Sequence, residues 1–192
     1  MLIAGITEFL IIGSILYALA TLPSQHGHIS TLYRVALLVT LTAASLGAVK
    51  FLTSIQISDY HQFFTYISKH VALTAFIITG AWGVFKSKQA KIIAAGIVAA
   101  SLISFIVNFS TDLSQLSIII ILLALVFTAF NMRSNPASLR YLIIAILVLL
   151  STLLWGAIIK DRDTMIGVYH ACVGLFYVLI TLSFKAVEGN QS

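Results

Sequence analysis

The chain has 192 residues, of which 60% are hydrophobic and 9% charged. Soluble domains carry about 25% charged residues, so this composition excludes a soluble globular protein and indicates a polytopic membrane protein. The formal charge of +5 does not indicate nucleic-acid binding, because the basic residues stand singly or in short groups between apolar runs, where they orient helices in a bilayer. The single cysteine, Cys172, allows no intrachain disulfide and no Cys-rich metal motif.

A membrane-crossing helix needs about 20 mostly apolar residues for a hydrocarbon layer of about 30 Å. Read between polar breaks, the chain predicts helices over 2–22, 33–54, 63–85, 91–109, 115–131, 139–159 and 164–184. The breaks, such as "LPSQHGHIS", "STDLSQ" and "NMRSNPAS", carry turn chemistry and are too short for a soluble domain. The first run ends in Ala18 to Ala20, which resembles a signal-peptidase site, but no basic segment precedes it and it is read as a span. The expectation is an all-α bundle, one domain over 1–192, with about seven transmembrane helices; the short fifth run leaves six as the alternative.

With the N-terminus outside, Arg34, Lys86, Lys88, Lys91, Arg133, Arg140 and Lys185 fall at cytoplasmic helix ends. Lys50, Lys69, Lys160 and Arg162 fall at the other. The excess predicts an N-out, C-in protein of a bacterial inner (plasma) membrane. Its expected partners are the lipid bilayer, and other membrane subunits or a second copy of the chain.

Polar residues recur at offsets of three and four within the helices. Asp163, Gly167, His170, Gly174, Tyr177 and Thr181 share one face of the last helix. Thr40, Ala43, Gly47, Lys50 and Ser54 align on the second. Phe63, Tyr66, His70 and Thr74 align on the third, and Ser101, Ser104, Asn108 and Asp112 on the fourth. Such seams turn toward protein rather than lipid. With helical rise of 1.5 Å per residue, His70 and His170 lie roughly 10 Å below the outer boundary, near the depth of Glu8 and Lys50. The predicted pocket is therefore lined by Glu8, Lys50, Tyr66, Asn108 and Tyr177, with Asp112 at its mouth and His70 with His170 as metal ligands. His61, nine residues from His70, falls on the opposite helical face and is left out of the ligand set.

Each polar residue also has a packing-only reading. Glu8 pairs with Lys50, Lys69 snorkels to the interface, Asp161 and Asp163 are solvated beside Lys160 and Arg162, the histidines bond to neighbouring hydroxyls or carbonyls, and no cavity exists.

Three functional chemistries fit the predicted pocket. Two histidines from different spans suit haem or another metal, with Gly167, Ala171 and Gly174 leaving room for a macrocycle, as in a redox or respiratory-complex component. Seven helices, N-out and C-in, with polar groups on helices two, three and seven, resemble the alkaline ceramidase and adiponectin-receptor superfamily. That resemblance implies a zinc-dependent lipid amidase or esterase. It carries over Ser45 and His170, while Lys50, and Ile166 and Gly174 at the four-residue offsets from His170, stand where that superfamily has further metal histidines. The third chemistry is a proton-linked transporter or sensor without a cofactor, since intramembrane ionisable residues mark proton and substrate paths.

Overall fold

The computed structural model describes residues 2–21, 28–53, 55–110 and 114–188. Its elements in chain order are α1 (Leu2–Thr21), α2 (His28–Leu52), α3 (Ser58–Gly80), α4 (Lys88–Ser110), α5 (Ser114–Met132), α6 (Pro136–Ile158) and α7 (Arg162–Glu188). Six of these are long and apolar enough to cross a membrane, and α5 is shorter, apolar over Leu116–Met132. The predicted order holds, with displaced boundaries. The α3 segment begins five residues before its predicted start and gives way to a 3₁₀ turn, Trp82–Val84.

Local chemistry sets several ends. The Asn135 side chain accepts the Ser138 N–H at 3.1 Å, and Pro136 opens α6 with a preset φ. Asp161 accepts the Thr164 N–H at 2.8 Å and so caps α7; its hydrogen bonds with Thr164 hold this exposed carboxyl below the usual carboxylate range. Asp163 is not a solvated neighbour of Lys160. It accepts the Ala4 N–H at 3.0 Å and the Ile3 N–H at 3.3 Å, answering orphan donors in the first turn of α1.

Within α3 the α-helical ladder is interrupted by a π turn over Ser68–Ala72, where the Leu73 N–H reaches back to the Ser68 carbonyl. A π turn inserts an extra residue into one turn and rotates everything after it relative to the 3.6-residue phase.

The packing order is a ring. The α7 helix lies against α1 and α6, α1 against α2, α2 against α3, α3 against α5, and α5 against α6. The α4 helix stands outside this ring against α3 and α5. Glycines on α7 allow its close approach to α1: a Cβ at Gly167 would run into the Ile3 side chain, and one at Gly174 would lie 3.2 Å from the Leu10 backbone and the Ser14 hydroxyl. The space that sequence reading reserves for a macrocycle beside Gly167 and Gly174 is thus filled by α1.

Gly174→Val places two further methyls where even a Cβ is tight. Overpacking of this kind costs about 1–3 kcal/mol, and the expected result is a lowered thermal unfolding midpoint in detergent. Gly13 has nothing within 4 Å of a built Cβ, so Gly13→Val leaves the midpoint in place. Equal effects at both positions would rule out α1–α7 approach as the cause.

At the end of the bundle away from the α1 N-terminus, the interior is closed. Phe76, Phe176, Tyr177 and Phe184 are buried together, with Phe85 stacked on Phe127 beside them. Ser138 and Ser183 share a hydrogen bond at 2.9 Å, and the Asn135 amide donates to the Ala186 carbonyl, tying α6 to the end of α7.

Candidate functional site

The six ring helices enclose a cavity of ≈ 390 Å³ in the half of the bundle that holds the α1 N-terminus. Every ring helix contributes to its wall, and among the described residues α4 contributes none. The wall is largely aliphatic, including Ile11, Leu73, Ile121, Leu122 and Leu149, with polar groups gathered in two places.

The first is a carboxyl–imidazole cluster. Glu8, 3% exposed, points its Oε1 at His170 Nε2, 3.5 Å away and within ion-pair distance. Gly47 makes room for that carboxyl, because a Cβ there would overlap it. The ring of His170 is oriented from its other side. Its Nδ1 lies 3.3 Å from the Ala4 carbonyl and 3.4 Å from the Thr7 hydroxyl. A carbonyl only accepts, and the Thr7 hydroxyl already donates to the Ile3 and Ala4 carbonyls, so Nδ1 carries hydrogen and Nε2 faces Glu8. Contact across Glu8 and His170 is then satisfied by one proton in either of two places: on the carboxyl with Nε2 accepting, or on Nε2 with the carboxylate accepting.

His61 completes the cluster from α3. Its Nδ1 accepts from the Lys50 ammonium at 3.4 Å, and its Nε2 lies on the same Gly47 surface as the Glu8 carboxyl. Phe51 stands between the two imidazoles, 5.7 Å from His61 and 6.3 Å from His170 between ring centroids.

The second polar place is a hydroxyl trio toward the closed end. Ser68 donates to Thr40 Oγ1 at 3.0 Å, and Tyr177 OH lies 3.2 Å from the same oxygen. Ser68, which opens the π turn, presents its hydroxyl to α2 and α7 at the cavity wall.

The predicted residues divide as follows. Glu8, His170 and Tyr177 line the cavity, and Lys50 joins through His61. Glu8 meets His170 rather than the expected Lys50. His70 and Tyr66 do not line the cavity. They stack on each other at 4.1 Å, and Tyr66 stacks on Phe105 of α4, so the third-helix seam packs against the helix outside the ring. The fourth-helix seam is protein-facing, with Ser101 and Ser104 fully buried, but it too faces away from the cavity. The Asn108 side chain and Asp112 lie outside the described residues. Ser45 is exposed on the far side of α2. Among the described residues, no group of three or more His, Cys, Asp and Glu is arranged to hold a metal ion.

His61 is the residue that sequence reading set aside. Its opposition to His70 on α3 is real, and the cavity lies on the His61 side. The signal available in the sequence was the Thr65 and Ser68 pair continuing its face at offsets of four and seven.

Comparisons with protein-family models, with curated proteins and with solved structures return no match for this chain. Its function is therefore argued from the site alone.

Proposed function

We propose that the chain is an integral membrane protein that binds an amphipathic small molecule in the ring cavity, with Glu8 and His170 as its proton-exchanging polar contact. The observation that carries this reading is the cavity itself: an aliphatic chamber of ≈ 390 Å³ with one buried carboxyl–imidazole pair in its wall. Small-molecule sites are concave, mostly apolar and about 300–1,000 Å³, with a few convergent polar groups. A bundle held together only by its polar seams has no need of such a chamber.

The outer faces support the membrane setting. Ile119, Leu123, Val126 and Phe130 form an exposed stripe along α5, and Ile143, Leu147, Leu150, Leu154 and Ile158 form one along α6. Such stripes suit lipid rather than water. The lysine and arginine excess at the closed end favours N-out, C-in insertion, which sets the cavity in the outer half of an inner membrane.

The test is probe binding to protein in nanodiscs of zwitterionic lipid, with empty nanodiscs as the reference for partitioning. A neutral fluorescent alkyl probe is expected to saturate at one site per chain. Ala44→Trp, which fills the wall of α2, is expected to remove that site while leaving helical content unchanged. Equal, unsaturable uptake by both proteins would overturn the reading. Iron and zinc content of untagged protein tests the alternative in which His70 and His170 hold haem or zinc: a stoichiometric metal would replace the cofactor-free reading.

A further inference from the structure

Among the described residues, four ionisable side chains other than tyrosine line the cavity: Glu8, His61, Lys69 and His170. Three of them are answered from within the protein. Glu8 and His170 face each other, and His61 takes a hydrogen from Lys50. Lys69 is different. It is exposed on the cavity wall, and no carboxylate among the described residues pairs with it.

Lys69 also sits well inside its helix, eleven residues from Ser58 and so roughly 16 Å along α3. A cation within a membrane-spanning helix either reaches the interface along its stem or serves a partner or a path. Exposed residues share the cavity wall with Lys69: Thr65, one turn earlier on α3, Ile118 of α5, Leu150 of α6 and Tyr169 of α7. The chamber behind them is lined by Ile121, Leu122 and Leu149. An ammonium that no carboxylate among the described residues answers, with the Thr65 hydroxyl one turn before it, therefore borders an aliphatic chamber. This arrangement complements a negative head with hydrogen-bond acceptors joined to an apolar tail.

Building on the proposed ligand-binding role, we infer that the cavity takes a single-chain amphiphile with an anionic head, a carboxylate or a phosphate monoester, and that Lys69 is the residue that selects the head. The tail lies along the aliphatic wall, and Thr65, one turn before Lys69, supplies a hydroxyl on the same helix face.

The experiment is competition for a dansyl-labelled undecanoate on the protein in zwitterionic nanodiscs. The competitors are dodecanoate, dodecyl phosphate, dodecanol and dodecyltrimethylammonium. Dodecanoate and dodecyl phosphate are expected to compete about tenfold better than dodecanol, the scale of one charge-assisted contact, and the ammonium worse than dodecanol. Lys69→Gln is expected to erase the advantage of the anions, and Lys69→Arg to keep it. Which anion ranks first separates a carboxylate ligand from a phosphate one, and either ranking supports the inference. Equal competition by anions, alcohol and ammonium overturns it, as does an unchanged order in Lys69→Gln. If a neutral alkyl probe still saturates and is lost in Ala44→Trp, the cavity reading survives that failure. If no probe saturates, both fall.

Discussion

His170→Ala is expected to destabilise the protein by about 3 kcal/mol, because it leaves the Glu8 carboxyl buried without its imidazole. Glu8→Ala is expected to cost a similar amount, since His170 Nε2 then faces an empty space. The diagnostic variant is the double one. Replacing both partners with apolar groups of similar volume, Glu8→Leu with His170→Phe, removes the desolvated polar groups together, and such replacements are near neutral or stabilising. Equilibrium unfolding in mixed micelles should show two strongly destabilised singles and a double close to wild type. Additive losses would mean that the two residues are not coupled, and the proton-exchanging pair would have to be abandoned. The double variant also separates folding from function. It should remain folded and lose the contribution of this pair to probe binding.

Phe76→Ala is expected to cost about 3–5 kcal/mol, the usual range for emptying a buried phenyl site. Phe76 is fully buried at the closed end, with ring centroids 5.4 Å from Tyr33, 5.0 Å from Tyr177 and 5.9 Å from Phe184. In a bilayer the displaced ring would meet lipid rather than water, so the cost is mainly lost packing contacts and the cavity left behind. That reasoning has a built-in control. Phe130 is 61% exposed on α5, and Phe130→Ala is expected to change stability by less than about 0.5 kcal/mol. Comparable losses at the two positions would show that hydrophobic transfer, not interlocking of the aromatic rings, dominates this bundle. Phe76→Ala is also expected to lengthen the cavity past Tyr177, so probe binding should tolerate a longer alkyl tail.

The site is a case in which small residues and large ones act together. Gly47 admits the Glu8 carboxyl, Gly167 and Gly174 draw α1 onto α7, and the same approach brings Ala4 and Thr7 to the back of the His170 ring. The helix contact that sets the imidazole tautomer is therefore the contact that positions its acidic partner, one turn along α1. Loss of α1–α7 packing in Gly174→Val should for that reason weaken probe binding along with stability.

The sequence by itself determined the helices and the faces they bury. Apolar runs of membrane-crossing length are a local property, and so is the recurrence of polar or small residues at offsets of three and four. These located Thr40, Gly47, His170 and Tyr177 on protein-facing seams without any knowledge of their neighbours, and depth along the helices added Glu8. Tertiary structure alone decided what each seam meets. Helix order around the ring is a long-range outcome of packing: it placed α4 outside and gave the His70 seam to α4 instead of the cavity. The azimuth of α1 against α7 gave Glu8 to His170, although depth along the helices suited Lys50 equally well. The π turn at Ser68–Ala72 broke the constant angular step on which any reading of α3 by spacing depends beyond Ser68. Periodicity fixes an angle around one helix axis; the identity of the residue across the gap depends on the positions of other axes, which no local spacing encodes.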